Sequence, residues 1–192
     1  ALFFRSRHWR DQGDLQKQRE FLDKALEADP HDIDVLIDCY RLDKASDDFH
    51  ERIKGLIVEA AEDLQQEIRR MPDEATGYNQ YAWLIANTEG DYDKALEYSK
   101  KSLKLSPDNG GYYDTLARCY YAKQDYEKAV QVQAKAVELE PHSGQIQRQY
   151  ELFEKKLAAH RKTAEDKPPA ETKAEEPAEA TGKKPPEKPA EK

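Results

Sequence analysis

The residues of this sequence that could perform acid–base, nucleophilic or metal chemistry are scattered along it. None of the histidines pairs with a second ligand at helical spacing and with a matching third ligand, as a metal site requires. They are His8, His31, His50, His142 and His160. Cys39 and Cys119 lie inside apolar stretches without metal-ligand spacing, which predicts buried free thiols. Such thiols do not distinguish the cytoplasm from a bacterial periplasm.

Motifs that bind nucleotides or activate a serine are also absent from the sequence. It contains no Gly-x-Ser-x-Gly elbow, phosphate-cradling glycine loop or dinucleotide fingerprint. We interpret Gly110-Gly111 as a tight link between helices, because no strand pattern precedes it. The 39 Asp and Glu residues are what a charged helical surface supplies. We therefore predict no enzymatic activity, with no catalytic residue, metal ion or cofactor.

The composition predicts a modest core under a highly charged surface. Of 192 residues, 38% are hydrophobic and 36% are charged, which suits an array of amphipathic helices. The net charge of −8 argues against nucleic acid as a partner, since phosphate binding needs a concentrated excess of Lys and Arg. No stretch of apolar residues is long enough to predict a membrane span. The chain begins at Ala1 within an apolar helix pattern and its only methionine is Met71, so we expect a C-terminal piece of a longer protein.

Four prolines mark the organisation of the chain. Pro30, Pro72, Pro107 and Pro141 each follow a predicted helix, which a proline stops because it has no N–H to donate. The intervals between them are 42, 35 and 34 residues. Such a spacing predicts repeated helix-turn-helix units.

The unit that ends at Pro141 has the clearest pattern. One face of its first helix combines large and small apolar residues at spacings of three or four. These residues are Tyr113, Leu116, Ala117 and Tyr120. Its second helix presents Ala129 and Ala136. Small residues at these positions let two helices approach closely while the larger ones fill the surrounding gaps.

This order of a large residue, Leu, a small residue and Tyr, followed by Ala, Ala and Pro, resembles the tetratricopeptide repeat. The resemblance covers residues 1–160 and is closer over 74–141 than over 1–72. The run Asn79–Ala86 looks like the repeats of large bacterial multidomain proteins. The resemblance implies an all-α fold, an α-solenoid of antiparallel helix-turn-helix repeats. It also implies a scaffold or partner-binding module.

We predict one repeat domain at residues 1–162, followed by a tail. Its repeats lie at about 1–30, 33–72, 74–107 and 110–141, and a capping helix covers 143–162. The second repeat has a surplus of about eight residues, which predicts a long second helix from about 48 to 71 that protrudes at its start. Asp48 and Glu51 resemble a capping box there. Residues 163–192, rich in Pro, Lys, Glu and Ala, are predicted to be disordered.

The resemblance further implies that the first helices of the repeats line a concave groove. Applying its register to this sequence predicts the partner-binding residues Asp38, Arg41, Asn79, Trp83, Asn87, Asp114, Arg118 and Tyr121. The same register adds Arg7, Arg10, Asp34, Ile37, Thr76 and Gln80.

Two interpretations of these side chains remain open. The arginines could bind carboxylates of an extended or C-terminal peptide, with Trp83 or Tyr121 stacking on an apolar side chain. Alternatively, the arginines are ordinary helix formers and Trp83 packs on its neighbouring helix. The dicarboxylate clamp of some family members needs Lys and Asn on successive first helices. The residues Ile37, Arg41, Gln80, Gly111 and Thr115 do not reproduce it.

The leading functional hypothesis is an interaction scaffold that binds an extended peptide or partner protein in this groove. The alternative is an accessory domain of a larger enzyme whose catalytic part lies upstream. A third is self-association through the incomplete first repeat or the long second helix.

Overall fold

The computed structural model describes residues 1–165, with side chains described to residue 163. Within this part of the chain all regular secondary structure is α-helical, which confirms the predicted class. The helices are α1 (Leu2–Asp11), α2 (Leu15–Ala28), α3 (Ile33–Tyr40), α4 (Asp47–Arg70), α5 (Ala75–Asn87), α6 (Tyr92–Leu105), α7 (Gly110–Ala122), α8 (Tyr126–Leu139) and α9 (Gly144–Glu165). The predicted disordered segment lies outside the described residues, apart from its first three residues, which continue α9.

The first eight helices form four hairpins, each with a first helix (an A helix: α1, α3, α5, α7) and a second helix (a B helix: α2, α4, α6, α8). Each B helix packs between its own A helix and the following first helix. Successive A helices also contact one another, α3 with α5 and α5 with α7, and α7 contacts α9 in the same way. The A helices therefore form one layer and the B helices a second, as in an α-solenoid.

The turn inside three of the hairpins is fixed by a repeated aspartate. Asp14, Asp91 and Asp125 precede the B helices α2, α6 and α8. Each carboxylate accepts a hydrogen bond from the backbone N–H three residues later, at 3.0, 2.9 and 3.2 Å respectively. The bond satisfies one of the free donors at a helix start and sets where the B helix begins.

Five alanines are fully buried between the helices. Ala82, Ala95, Ala117, Ala129 and Ala136 are all 0% exposed. The prediction that the small residues of the last hairpin allow close packing is confirmed. The surrounding volume is filled by tyrosines, leucines and isoleucines, which give the array its core.

The second hairpin departs from the others. Its A helix α3 has 8 residues and its B helix α4 has 24. The predicted capping box at Asp48 is wrong, because α4 begins earlier and Ser46 caps it by accepting from the N–H of Phe49 at 3.3 Å. The predicted protruding start is also wrong, since Phe49 and Ile53 are 6% and 0% exposed. The first turns of α4 are therefore part of the core.

Candidate functional site

The layer of A helices surrounds a cavity of about 310 Å³. Its walls come from α3, α5 and α7, with contributions from α1, from Glu140 after α8 and from the start of α9. The lining residues are Arg7, Ile33, Asp34, Asn79, Trp83, Gly111, Asp114, Thr115, Glu140, Ser143, Gln145 and Ile146. Three of the eight predicted partner-binding residues, Asn79, Trp83 and Asp114, thus lie in one cavity.

The centre of the groove is occupied by Trp83, which is half-buried. Its indole Nε1 donates to Asp34 Oδ1 at 3.1 Å, which ties α5 to α3. The carbonyl of Trp83 accepts from Asn87 Nδ2 at 2.8 Å. Trp83 therefore packs against the neighbouring helix and also forms part of the cavity wall, so the two interpretations of this residue are compatible.

The N-terminal side of the groove is held by an ion cluster around Asp38. Asp38 is 5% exposed and accepts from Arg7 Nε at 2.9 Å. Arg10 Nη1 lies 3.6 Å from its other oxygen. Two guanidinium groups thus compensate the buried carboxylate, and Asp38 has a structural role beside the cavity.

The C-terminal side is held by amide groups around Asp114. This carboxylate is 4% exposed and accepts from Gln133 Nε2 of α8 and, at 2.9 Å, from Gln149 Nε2 of α9. Burial raises the pKa of Asp114 to about 6, against the hydrogen bond from Gln133 and the nearby charge of Arg118, which lower it. Asp114 therefore joins three helices and is a poor candidate for direct contact with a partner.

Arg41 and Arg118 converge on the last turn of α5. Arg41 follows the end of α3 and donates to Asn87 Oδ1. Arg118 Nε donates to the carbonyl of Ala86 at 3.3 Å. Burial and, to a smaller extent, the positive charge of Arg41 lower the pKa of Arg118 to about 10. The two arginines thus bond to adjacent residues at the end of α5.

Tyr121, near the end of α7, is half-buried and does not line the cavity. Its ring stacks on Phe153 of α9 with centroids 4.6 Å apart. Arg118 lies over the same ring at 4.9 Å, a distance typical of a cation–π contact.

Other predicted groove residues lie elsewhere. Ile37 is 2% exposed, so its assignment to the groove is wrong. The physical reason is that the short helix α3 is buried on more than one face, from Val35 to Cys39. Gln80 lines a different cavity beside α4, and the Thr76 side chain is exposed, with its hydroxyl 3.4 Å from that of Tyr112.

The sequence analysis missed the contribution of α9 to this site. It treated the segment as a cap alone, whereas Ile146 lines the cavity, Gln149 bonds to Asp114 and Phe153 stacks on Tyr121. The spacing of Ile146 and Phe153 with Tyr150 indicated only an apolar face. Which helix that face would meet depends on tertiary packing.

Neither metal sites nor membrane spans were found in the part of the chain that the structure describes. No group of three or more His, Cys, Asp or Glu residues there is placed to hold a metal ion. Among the described helices, none has the length and apolar character needed to cross a bilayer.

Comparison with known proteins places the sequence pattern in one family. Residues 86–149 match the family model described as the tetratricopeptide repeat. No curated protein matches the chain at a significant level.

Several solved structures share the fold. TTC0263, a thermophilic TPR protein in Thermus thermophilus, is 23% identical over 79% of this chain and 79% of that one, with a TM-score of 0.50. The Sgt2 TPR domain from Aspergillus fumigatus is 20% identical over 67% of this chain and 82% of that one, with a TM-score of 0.51. MamA from Desulfovibrio magneticus RS-1 is 15% identical over 83% and 85% of the two chains, with a TM-score of 0.48. Residues 86–149 thus match the tetratricopeptide repeat, and the helices of residues 1–165 form the hairpin array of an α-solenoid.

Proposed function

We propose that this protein is an interaction scaffold that binds an extended segment of a partner protein along the groove of its A helices. The observation that carries the proposal is the cavity of about 310 Å³ at the junction of α3, α5, α7 and α9. Consecutive repeats build its walls, as expected for a groove that follows the solenoid axis.

The side chains around this cavity are already held in place. Trp83 is fixed by Asp34, and Asp114 is fixed by Gln133 and Gln149. A preformed site loses little conformational entropy when a ligand binds, which favours affinity. Trp83 also offers the aromatic surface that often dominates binding energy at protein interfaces.

The lining suits a peptide better than a small apolar ligand. Apolar surface from Ile33, Trp83 and Ile146 alternates with polar groups such as Asn79 and Thr115. An extended backbone offers N–H and C=O groups to such polar side chains, while one of its apolar side chains covers the indole.

Arginines and acidic side chains both lie on or beside the layer of A helices. The arginines are at positions 7, 10, 41 and 118, and the acidic side chains are Asp34, Asp38, Asp114 and Glu140. We propose that the arginines select an acidic segment or a C-terminal one. Charge complementarity of this kind selects partners and speeds encounter. The proposed role involves no catalysis by this chain.

A peptide-display screen with a matched pair of tryptophan variants tests the proposal. The wild type should select a set of peptides, and Trp83→Ala should weaken their binding by about thirtyfold, as loss of a central aromatic contact does. The only other tryptophan, Trp9, is half-buried in α1 and outside the cavity, so Trp9→Ala should leave binding unchanged.

The stability of each variant is checked by circular dichroism. Trp83→Phe serves as a second variant that keeps an aromatic ring and loses only the bond to Asp34. The proposal is overturned if the wild type selects no peptide, or if folded Trp83→Ala and Trp9→Ala proteins bind the selected peptides equally well.

A further inference from the structure

The B helices α4 and α6 border a second cavity, which has a volume of about 380 Å³. It shares no lining residue with the cavity of the A helices, and its size is at the lower end of the range for small-molecule sites. Its apolar surface comes from Ile68 of α4, Tyr78 of α5 and Tyr98 of α6. The two tyrosine rings meet edge to face, with centroids 5.2 Å apart. An aromatic ring of a ligand therefore has an aromatic surface to contact in this cavity.

The charged side chains of this cavity all come from α6, and most of them are lysines. Lys100, Lys101 and Lys104 line the cavity together with one carboxylate, that of Glu97. Three positive charges against one negative charge leave an excess of two. This excess is local, because the whole chain has a net charge of −8. The cavity therefore attracts an anion although the protein as a whole does not.

These three lysines have no ion-pair partner among the described residues. Six other lysines of the array do pair with nearby carboxylates: Lys17, Lys24, Lys54, Lys123, Lys128 and Lys135. Lys101 Nζ lies 5.9 Å from the centroid of the Tyr78 ring, which places an ammonium group beside the aromatic surface. Lys100 and Lys104 are exposed. Their ammonium donors are therefore accessible to an external anion.

An excess of two positive charges suits a phosphate monoester better than a carboxylate. A phosphate monoester carries a charge of about −1.5 to −2 at pH 7 and offers three acceptor oxygens, whereas a carboxylate carries a single charge. Each lysine is a point charge with its own three donors, so three lysines can approach three oxygens from different directions. The planar fork of arginine, which matches a carboxylate, is absent from this lining.

We propose that this cavity is a second binding site, which holds a phosphate monoester carried on an aromatic ring. The phosphate lies among Lys100, Lys101 and Lys104, and the ring lies against Tyr98 and Ile68. A phosphotyrosine side chain of a partner protein and a small aryl phosphate share this chemistry. The site is separate from the groove proposed above to bind an extended segment, so either one can exist without the other.

Titrations of the intact chain, followed by the backbone amide NMR signals of α6, test the site. The probes are phenyl phosphate, benzoate and inorganic phosphate, which separate the contribution of the ring from that of the charge. The wild type should bind phenyl phosphate about tenfold more tightly than benzoate, as expected for one additional charge-assisted hydrogen bond. It should bind phenyl phosphate about fivefold more tightly than inorganic phosphate, which has no ring to contact the tyrosines.

A matched pair of double variants locates the binding. Lys101→Gln/Lys104→Gln should weaken the binding of phenyl phosphate by about tenfold. The control Lys155→Gln/Lys162→Gln removes the same charge from exposed positions of α9, outside the cavity, and should leave the affinity unchanged. Circular dichroism checks that both proteins are folded. If the first double variant does not fold, Lys104→Gln alone, at an exposed position, should weaken binding by about threefold.

A capped peptide with a central phosphotyrosine, flanked by alanines, identifies the source of the phosphate. Tighter binding of this peptide than of phenyl phosphate assigns the site to a partner protein, and equal or weaker binding assigns it to a small molecule.

Four results would refute the site. They are an absence of shifted α6 signals, equal affinities for benzoate and phenyl phosphate, equal affinities for inorganic and phenyl phosphate, and equal affinities of the two double variants for phenyl phosphate. Each of these results leaves the groove untouched, because the groove is tested separately by Trp83→Ala.

Discussion

Asp38 and Asp114 are buried to nearly the same degree on the A helices, at 5% and 4% exposure, but they are stabilised differently. Asp38, in the N-terminal half, faces two guanidinium groups. Asp114, in the C-terminal half, accepts from two neutral amides, and its pKa is raised by burial. The A helices can thus hold a buried acid by opposite charge or by hydrogen bonds, with different consequences for stability and pH dependence.

The two halves also differ in regularity. The hairpins α5–α6 and α7–α8 have helices of 13 or 14 residues. The pair α3–α4 has helices of 8 and 24 residues, and the match to the family model begins only at residue 86. The ion cluster of Asp38 thus lies in the irregular half and the amide network of Asp114 in the regular half.

The largest expected difference between the halves is in their pH dependence. The folded-state pKa of Asp114 is about 6, above its ordinary value of 3.8, so the folded protein binds this proton more tightly than the unfolded chain does. The stability contributed by protonation is present below pH 4 and is lost as the pH rises through 6. The free energy of unfolding of the wild type minus that of Asp114→Asn should therefore rise by about 2.4 kcal/mol from pH 7 to pH 4.

Urea unfolding of both proteins at several pH values measures this difference. Asp43→Asn changes an exposed aspartate and provides the matched control. The difference in free energy of unfolding between the wild type and this variant should change far less with pH. If the free energies of unfolding of the wild type and Asp114→Asn differ by the same amount at pH 7 and at pH 4, the proposed contrast between Asp38 and Asp114 is contradicted.

Neutralising each buried aspartate at pH 7 should have opposite effects on the two halves. Asp38→Asn leaves Arg7 and Arg10 without their counter-charge and should destabilise the protein by about 2 kcal/mol, less than for a fully buried pair because both arginines are partly exposed. Asp114→Asn removes a charge that burial disfavours and should be neutral or stabilising. Equal losses of unfolding free energy in the two variants would show that the surroundings of these residues do not matter.

The hairpin turns offer a smaller test of the same contrast. The residue before the capping aspartate is left-handed in both end hairpins, with Gly13 at φ +73° and Gln124 at φ +62°. Only glycine adopts this conformation without strain. Gly13→Ala should lower the free energy of unfolding by about 1 kcal/mol, and Gln124→Gly should raise it by somewhat less. Thermal unfolding of both variants measures this, and a loss of stability in Gln124→Gly would mean that its side chain compensates the strain.

The smallest expected effect concerns the start of α4. Ser46→Ala removes the bond to the N–H of Phe49 and should cost about 0.7 kcal/mol. Asp48→Ala leaves that bond intact and should change stability by less than half as much. If Asp48→Ala lowers the free energy of unfolding more than Ser46→Ala does, α4 is capped by the capping box at Asp48 and not by Ser46.

The hairpin order could be predicted from the sequence because it depends on local signals. The prolines at helix ends and the buried alanines of the last hairpin are read directly from spacing. The register of α5 and α7 also placed Asn79, Trp83 and Asp114 on the cavity wall. The buried position of Ile37, the cap at Ser46 and the role of Gln149 could not be predicted, because each depends on which helices meet in space.

The position of α9 after the last hairpin determines what the insertion of a further hairpin would require. Gln149 and Phe153 engage α7, and the carbonyl of Ile146 accepts from Gln133 of α8, so α9 occupies the place of a following A helix. A duplicated copy of α7–α8 inserted before α9 would keep the contact of α6 with α7 and that of α8 with α9. Lengthening the protein by 34 residues, the interval from Pro107 to Pro141, would therefore require one new interface, between α8 of the first copy and α7 of the second.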